Sequence, residues 1–126
     1  MKQDTVAQRN RELIEHGLAE FTRGNIGVLR ELLHADFVEH SPGNPSGRDA
    51  FIEFIGKAPV AAARLDIKRV ITDDDYAVVH YHMVAPGDDR GTAVIDVWRL
   101  VDGLITEHWD VVQPVPERAS VPFGMF

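Results

Sequence analysis

Cysteine is absent from this sequence of 126 residues, which excludes a disulfide framework, a thiolate nucleophile and a thiolate metal site. Long apolar runs are absent too, since none approaches the roughly 18 to 20 residues that a membrane-spanning helix needs. The N-terminal stretch also lacks the apolar segment of a secretory signal. These absences lead us to expect a cytoplasmic protein.

Positive charge is in short supply. The chain has 13 basic and 20 acidic residues, which give a formal net charge of −7. A surface of this charge repels phosphate backbones and anionic lipid. Neither nucleic acid nor a membrane is therefore an expected partner.

Apolar residues are plentiful enough for one folded core. They make up 44% of the chain, and its length falls within the range of about 100 to 200 residues that is usual for one domain. The sequence has no internal repeat, low-complexity tract or linker. Residues 1–126 are therefore predicted to form a single domain.

Two helices are predicted near the N-terminus. Thr5 with Gln8 three positions later has the form of a capping box, and apolar residues then recur at helical spacing as far as Arg23. Asn25 is placed to cap a second, shorter helix, whose apolar stripe ends at Leu33. The two helices should pack as a pair.

A third helix is predicted after a loop. Residues 37–40 form a short extended segment, and a stretch rich in proline, glycine and serine follows. Ser46 with Asp49 then favours a helix start, and Gly56 and Pro59 favour its end. This helix carries aromatic residues on one face.

Four antiparallel strands are predicted in the second half of the chain. Alternation with period two begins at Arg64 and continues to the acidic turn at 73–75; further strands are predicted at 76–85, Thr92–Val101 and 104–113. Asp102-Gly103 is the dipeptide of a two-residue type I′ hairpin turn. Helices followed by a meander of strands predict an α+β fold with the helices on one face of a curved sheet.

Four segments resemble one known family. They are FTRGN at 21–25, HADF at 34–37, GRDAF at 47–51 and WRLVDGLITEHWD at 98–110. Their order and spacing resemble the SnoaL-like branch of the nuclear transport factor 2-like superfamily over essentially the whole chain. The resemblance implies an α+β cone in which N-terminal helices pack on a curved, mostly antiparallel sheet and enclose one pocket. This superfamily includes cyclases, isomerases, dehydratases and non-catalytic binding modules, so the fold alone does not decide function.

The resemblance implies catalytic roles for three side chains. Asp110 matches the aspartate that acts as acid and base in the intramolecular aldol closure of the family's polyketide cyclases. Asp96 stands where those cyclases have a histidine, and is similar instead to the protonated, oxyanion-stabilising aspartate of ketosteroid isomerases. His40 matches the isomerase base, whereas the isomerases' oxyanion tyrosine would fall near Gly17. The cyclase mechanism uses neither a metal nor an organic cofactor, and none is expected here.

The strand register bears on whether the two aspartates share a pocket. A two-residue turn pairs Val101 with Leu104, so strict alternation sets Asp96 opposite Trp109 and turns Asp110 to the other face. Both aspartates can face one pocket only if the ladder contains an extra residue, and we expect a β-bulge near residues 108–110. His108 is a further catalytic candidate. It either hydrogen-bonds the carboxylate of Asp110 or points away on the strand.

Two histidines leave a metal site open as an alternative. His80 and His82 lie two apart on a strand and therefore share a face, and a third ligand such as His40 or Asp96 would complete a site for zinc or iron. Two histidines at this spacing do not by themselves fill a coordination sphere. The expected protein is therefore free of metal.

The predicted function follows from these residues. It is that of a small cofactor-free acid/base enzyme of the cyclase, isomerase or dehydratase kind, acting on an apolar, carbonyl-containing metabolite. The alternatives are a non-catalytic small-molecule-binding module and a metal-dependent enzyme that uses His80 and His82. The family commonly dimerises through the sheet face away from the helices, so a homodimer is expected. The predicted substrate contacts are Trp98, Trp109, Phe21, Phe51, Phe54, Tyr81 and His82.

Overall fold

A computed structural model of the chain describes residues 4–126, so residues 1–3 of the predicted domain lie outside the described residues. The helices are α1 (Val6–Thr22), α2 (Val28–Leu32), α3 (Arg48–Lys57) and α4 (Pro59–Ala62). The strands are β1 (Leu33–Glu39), β2 (Arg64–Thr72), β3 (Tyr76–Val84), β4 (Thr92–Val101) and β5 (Leu104–Pro114), and a 3₁₀ turn follows at Arg118–Ser120.

The strands form one sheet in the order β1-β5-β4-β3-β2. β1 runs parallel to β5, and the other neighbours are antiparallel. Helix α1 packs on β2 and β3, and α3 packs on β1. We call the sheet face against the helices the inner face and the opposite one the outer face. The predicted α+β architecture, with helices on one face of the sheet, is confirmed.

Strand β1 is the main departure from the predicted elements. Leu33 was expected to end a helix, but it starts β1 and pairs with Ile105. The apolar stripe of α2 explains the error, because Leu33 follows Leu29 by four positions and so continues the helical spacing into β1. The register between β1 and β5 also shifts between Leu33 and Val38, which hides the alternation of a regular strand.

The first predicted helix start is confirmed in detail. The backbone N–H of Gln8 donates to the Thr5 hydroxyl (3.1 Å), and the backbone N–H of Thr5 donates to the Gln8 side chain (2.8 Å). The second start is wrong. Asn25 donates to Glu20 instead of capping a helix (3.1 Å), and α2 begins only at Val28.

The predicted cap of the third helix is also wrong. Helix α3 begins at Arg48, after Gly47, and has no side-chain cap. The Ser46 hydroxyl instead accepts from the backbone N–H of Glu39 (2.9 Å). Ser46 therefore ties the loop before α3 to the end of β1, beside the site described below.

The hairpin of β4 and β5 contains both predicted features. Asp102 and Gly103 have φ values of 50° and 80°, as a type I′ turn requires. Leu100 pairs with Ile105, but Arg99 pairs with Glu107, so Thr106 between them is the extra residue of a β-bulge. The bulge lies nearer the turn than expected, and its effect is the expected one: Asp96 pairs with Asp110, so both face the same way.

The core lies between the inner face and the helices. Its largest fully buried side chains are Phe37, Leu33, Val28 and Val79. Within residues 4–126, no helix is both long and apolar enough to cross a membrane.

Candidate functional site

A cavity of about 350 Å³ lies between the helices and the inner face of the sheet. Its wall is mostly apolar and aromatic, with contributions from all four helices and from β2 to β5. The polar side chains that reach it are Ser41, Asn44, Asp96, His108 and Asp110. Most of these belong to one hydrogen-bonded cluster, which makes this end of the cavity the candidate site.

His108 lies between two carboxylates. Its Nδ1 donates to Glu39 Oε1 (2.7 Å) and its Nε2 donates to Asp96 Oδ1 (2.8 Å). Burial alone would lower the pKa of His108, but the hydrogen bonds to Asp96 and Glu39, together with their negative charges, raise that pKa to about 9. The imidazole is therefore a cation at neutral pH, held by two fixed acceptors.

Glu39 is the site residue that the sequence analysis missed. Its side chain is fully buried. Burial would raise the pKa of Glu39, but hydrogen bonds from His108, the backbone N–H of Ser41 and the amide of Asn44 outweigh it and lower the pKa below its ordinary value. The parallel pairing of Glu39 with His108 places the two together. The available signal was that Glu39 follows the buried Phe37 by two residues, on the same strand face.

Asp96 is held from two sides. Besides His108, it is hydrogen-bonded by the Tyr81 hydroxyl, and burial followed by the charge of Asp96 raises the pKa of that phenol. The Trp98 ring stacks on the imidazole of His108, with ring centres 3.9 Å apart. Asp96 was expected to be a neutral acid free to bond a substrate oxygen. The structure makes it an acceptor for His108 instead, so that expectation does not fit this geometry.

Asp110 lies at the cavity wall and is half-buried. Burial raises its pKa, and a hydrogen bond from the Ser41 hydroxyl and the charge of His108 offset this only in part. His108 faces the same site but bonds Glu39 and Asp96, so neither alternative foreseen for it is correct. Asp110 is thus the carboxylate of this cluster that burial makes more basic.

The same cluster brings three potential metal ligands together. One ligand atom each from Asp96, His108 and Asp110 lie within 4.8 Å of one another. Both ring nitrogens of His108 are already engaged by carboxylates, so a metal would have to break one of these hydrogen bonds to gain an imidazole ligand. These side chains therefore suit an imidazolium held between carboxylates better than they suit a bound metal ion.

His40 and Trp109 lie on the outer face. His40 follows Glu39 directly on β1, so the two side chains point to opposite faces. Its Nε2 bonds Glu107 Oε2 (2.6 Å), and its ring stacks on Trp109 with centres 4.8 Å apart. Neither residue lines the cavity. The expected role of His40 as a pocket base and of Trp109 as a substrate contact therefore does not fit the observed strand faces.

His80 and His82 also lie on the outer face, because they alternate with inward-facing residues of β3. His80 bonds Arg69, and His82 Nε2 donates to the carbonyl of Arg90 (2.7 Å). The ring of Phe126 packs against both imidazoles. Asp96 faces the other way and cannot complete a metal site with them. His40 lies on the outer face too, but it follows β1, which is three strands away from β3 in the sheet, so it cannot complete the site either. His82 is likewise outside the cavity lining, so the predicted substrate contact and the metal alternative both lose their geometric basis.

The other predicted contacts do reach the cavity. They are Phe21, Phe51, Phe54, Tyr81 and Trp98. Their position at the wall is confirmed, and their contact with a substrate stays a prediction.

The sequence of the chain matches one known protein family. Residues 14–108 match the SnoaL-like domain, and the chain belongs to the SnoaL-like family. Comparison of the sequence with curated proteins gives no significant match.

Solved structures share the fold at low sequence identity. A provisionally assigned ketosteroid isomerase from Kribbella flavida is 20% identical, with a TM-score of 0.76 over 93% of this chain and 90% of that one. A provisionally assigned SnoaL-like polyketide cyclase from Jannaschia is 15% identical, with a TM-score of 0.73 over 98% and 96%. A steroid delta-isomerase from Pseudomonas aeruginosa is 20% identical, with a TM-score of 0.68 over 84% and 80%. The chain therefore has the nuclear transport factor 2-like fold.

Proposed function

We propose that the protein is a cofactor-free acid/base enzyme of the cyclase or isomerase kind, acting on an apolar, carbonyl-containing metabolite bound in the cavity. The observation that carries this proposal is the convergence of Asp96, His108 and Asp110 within 4.8 Å of one another at the polar end of an otherwise apolar cavity. Structural neighbours assigned as isomerases and a cyclase favour the same class of reaction.

Asp110 is the proposed base. Its raised pKa makes it a stronger base than an exposed aspartate, while leaving it able to give the proton back. In the proposed step, Asp110 takes a proton from the carbon beside the carbonyl, the C–H electron pair forms the C=C bond of an enolate, and the π pair of the C=O bond moves onto oxygen. The protonated Asp110 then gives its proton to another carbon of the enolate in an isomerisation or, in a cyclisation, to the alkoxide that forms when the enolate carbon attacks a second carbonyl group.

His108 supports this step through its charge. Both N–H groups are engaged by Glu39 and Asp96, so His108 does not donate directly to a substrate. Its positive charge is buried beside Asp110, where it partly offsets the rise in the pKa of that carboxyl but also attracts the negative charge that develops on the enolate oxygen, an interaction stronger there than in water. The amide of Asn44 lines the same cavity and keeps one N–H besides the one that bonds Glu39, so it is the proposed donor for the developing enolate oxygen. The Ser41 hydroxyl donates to Asp110 until Asp110 takes up the proton.

The cavity size suits a substrate of modest size. Cavities of about 300 to 1,000 Å³ hold small organic ligands, and this one is near the lower end. 2-Tetralone, an apolar bicyclic ketone with acidic α-protons, is a suitable probe.

The test is exchange of the α-protons of 2-tetralone in D₂O, followed by proton NMR. We expect the wild-type protein to accelerate exchange over buffer, and Asp110→Asn to lose at least about 100-fold of that acceleration, as removal of a general base does. Asp74→Asn, which neutralises an exposed turn aspartate, serves as the matched control and should exchange at the wild-type rate.

The same experiment separates the enzyme from its alternative. If 2-tetralone binds but the wild-type protein does not accelerate exchange, the non-catalytic binding module becomes the better description. Wild-type exchange by Asp110→Asn would instead show that the base is another residue.

A further inference from the structure

We propose that the cavity selects uncharged or cationic ligands and rejects carboxylates. The inference rests on the proposed use of this cavity as a substrate site and adds the chemical class of ligand that the site accepts. It is carried by the arrangement of charges around the cavity.

Negative groups outnumber positive groups at the polar end. Among the residues that line the cavity in the described chain, none is lysine or arginine, and the acidic and basic side chains are Asp96, His108 and Asp110. Glu39 lies directly behind His108 with a fully buried side chain. One imidazolium therefore stands against three carboxylates.

The single positive group has no hydrogen bond to offer. Both nitrogens of His108 donate to carboxylates that are themselves buried. The arginine closest along this strand pair, Arg99, bonds Glu107 on the outer face. A ligand carboxylate would thus leave water without gaining a charged donor in return, which is costly in a site of low polarity.

The ligand would also face Asp110. Two carboxylates at short distance repel one another strongly when water is excluded. An alcohol or ketone avoids this repulsion and can accept a hydrogen bond from the free N–H of Asn44. An ammonium or iminium group gains an ion pair with Asp110.

This charge preference is compatible with the proposed proton transfer. When Asp110 takes a proton, the carboxylate loses its charge as the enolate gains one, so the total charge in the cavity does not change. A substrate that enters with its own carboxylate would add a charge at every stage of the reaction.

The test compares three ligands of one shape: 2-naphthylmethylamine, 2-naphthylmethanol and 2-naphthoate. Their dissociation constants are measured at neutral pH by isothermal titration calorimetry. We expect 2-naphthoate to bind at least about tenfold more weakly than the alcohol, and the amine to bind at least as tightly as the alcohol. The order should persist at high salt, because salt screens the net surface charge but has little effect on buried groups.

Two variants on β5 locate the effect. Asp110→Asn should reduce the ratio of the dissociation constants of 2-naphthoate and 2-naphthylmethylamine by about tenfold. Glu107→Gln should leave this ratio unchanged. Both substitutions remove one negative charge, but Glu107 lies on the outer face. Circular dichroism checks that both variants fold.

The proposal is overturned if 2-naphthoate binds as tightly as 2-naphthylmethanol to the wild-type protein, or if none of the three ligands binds. The measurement needs no turnover, so its result is independent of the exchange of 2-tetralone protons. Charge selection without exchange would remove the enzymatic proposal and keep this one, and exchange without charge selection would do the reverse.

Discussion

At the scale of single residues, the raised pKa of His108 makes the stability of the fold depend on pH. Its ordinary pKa of 6.5 is raised to about 9 in the folded chain. A histidine with a raised pKa contributes its full stabilisation below pH 6.5 and loses it as the pH rises through 9. At 1.36 kcal/mol per unit of pKa shift, the contribution is about 3 kcal/mol, lost between these two values.

Substitution of Glu39 tests whether its negative charge raises the pKa of His108. Glu39→Gln keeps the shape of the side chain but removes one of the two negative partners, so the pKa of His108 should fall by at least about one unit. The measurement is an NMR titration of the His108 ring.

Glu107→Gln is the control for that titration, because Glu107 bonds His40 rather than His108. It should leave the His108 titration unchanged. An unchanged pKa of His108 in the Glu39 variant would contradict the role of Glu39 as a negative partner that raises this pKa.

Asp110 has the opposite effect on stability at neutral pH. Its pKa is raised above the ordinary 3.8, so the folded chain binds this proton more tightly than the unfolded chain does. Stability is therefore lost as the pH rises from 3.8 through the raised value. Asp110→Asn should unfold at the same temperature as the wild type at pH 7 or at a higher one, and this difference should disappear below pH 3.8.

Asp73 has a lowered pKa, so its contribution to stability changes with pH in the direction opposite to that of Asp110. The backbone N–H groups of Asp75 and Tyr76 donate to its carboxylate and lower its pKa. Asp73→Asn should therefore lose stability at pH 7, and the loss should shrink as the pH falls. Calorimetric melting at several pH values distinguishes the two patterns, and a lower melting temperature for Asp110→Asn at pH 7 would contradict the account of Asp110.

At the scale of elements, the hairpin of β4 and β5 determines which side chains reach the cavity. The two-residue turn sets the register, and the extra residue Thr106 reverses the facing of every residue after it. His108 and Asp110 thereby face inward, and Trp109 faces outward. The site thus depends on a local irregularity in one strand.

The turn itself is open to a direct test. Gly103 has a φ of 80°, where any side chain is strained, so Gly103→Ala should lower the free energy of unfolding by about 1 to 2 kcal/mol. Gly27→Ala is the control, since Gly27 has a φ of −59°, and its cost should stay within about 0.5 kcal/mol. Urea denaturation measures both, and equal losses would contradict the turn assignment.

At the scale of the whole molecule, the outer face keeps apolar side chains in contact with water. Val38 is 42% exposed, Ile71 58% and Val111 71%, and all three lie on outward-facing strand positions. Exposed apolar surface on a sheet is a common site of association. The expected homodimer would use this face.

A charge placed on this face tests the dimer. We predict that the wild-type protein is a dimer at micromolar concentration and that Val111→Glu makes it monomeric, because the substitution brings two like charges into the interface. Val6→Glu, at an exposed position on α1, should remain dimeric. Light scattering gives the masses, and a monomeric wild type would contradict the prediction.

Local chemistry was enough to predict much of this protein. The Thr5–Gln8 capping box, the Asp102-Gly103 turn and the existence of strands β2 to β5 depend on near neighbours in sequence, and each is present as predicted. The alternation predicted for β2 is interrupted, because a register shift between Ile67 and Arg69 turns Val70 inward and Arg69 outward. The facing of Asp96 and Asp110 was predictable once a bulge was assumed, although its place at Thr106 was not.

The polar cluster was decided by tertiary structure. Glu39 and His108 are 69 residues apart, and they meet because β1 pairs with β5 in parallel. No local sequence pattern predicts the pairing of β1 with β5. His40, His82 and Trp109 lie outside the cavity because their side chains point to the outer face of the sheet. Side-chain direction on a strand depends on register and bulges, which the local sequence does not give. The sequence by itself therefore determined the family and most of the elements, whereas the tertiary structure decided which carboxylates surround His108 and which side chains, Asp110 among them, face the cavity.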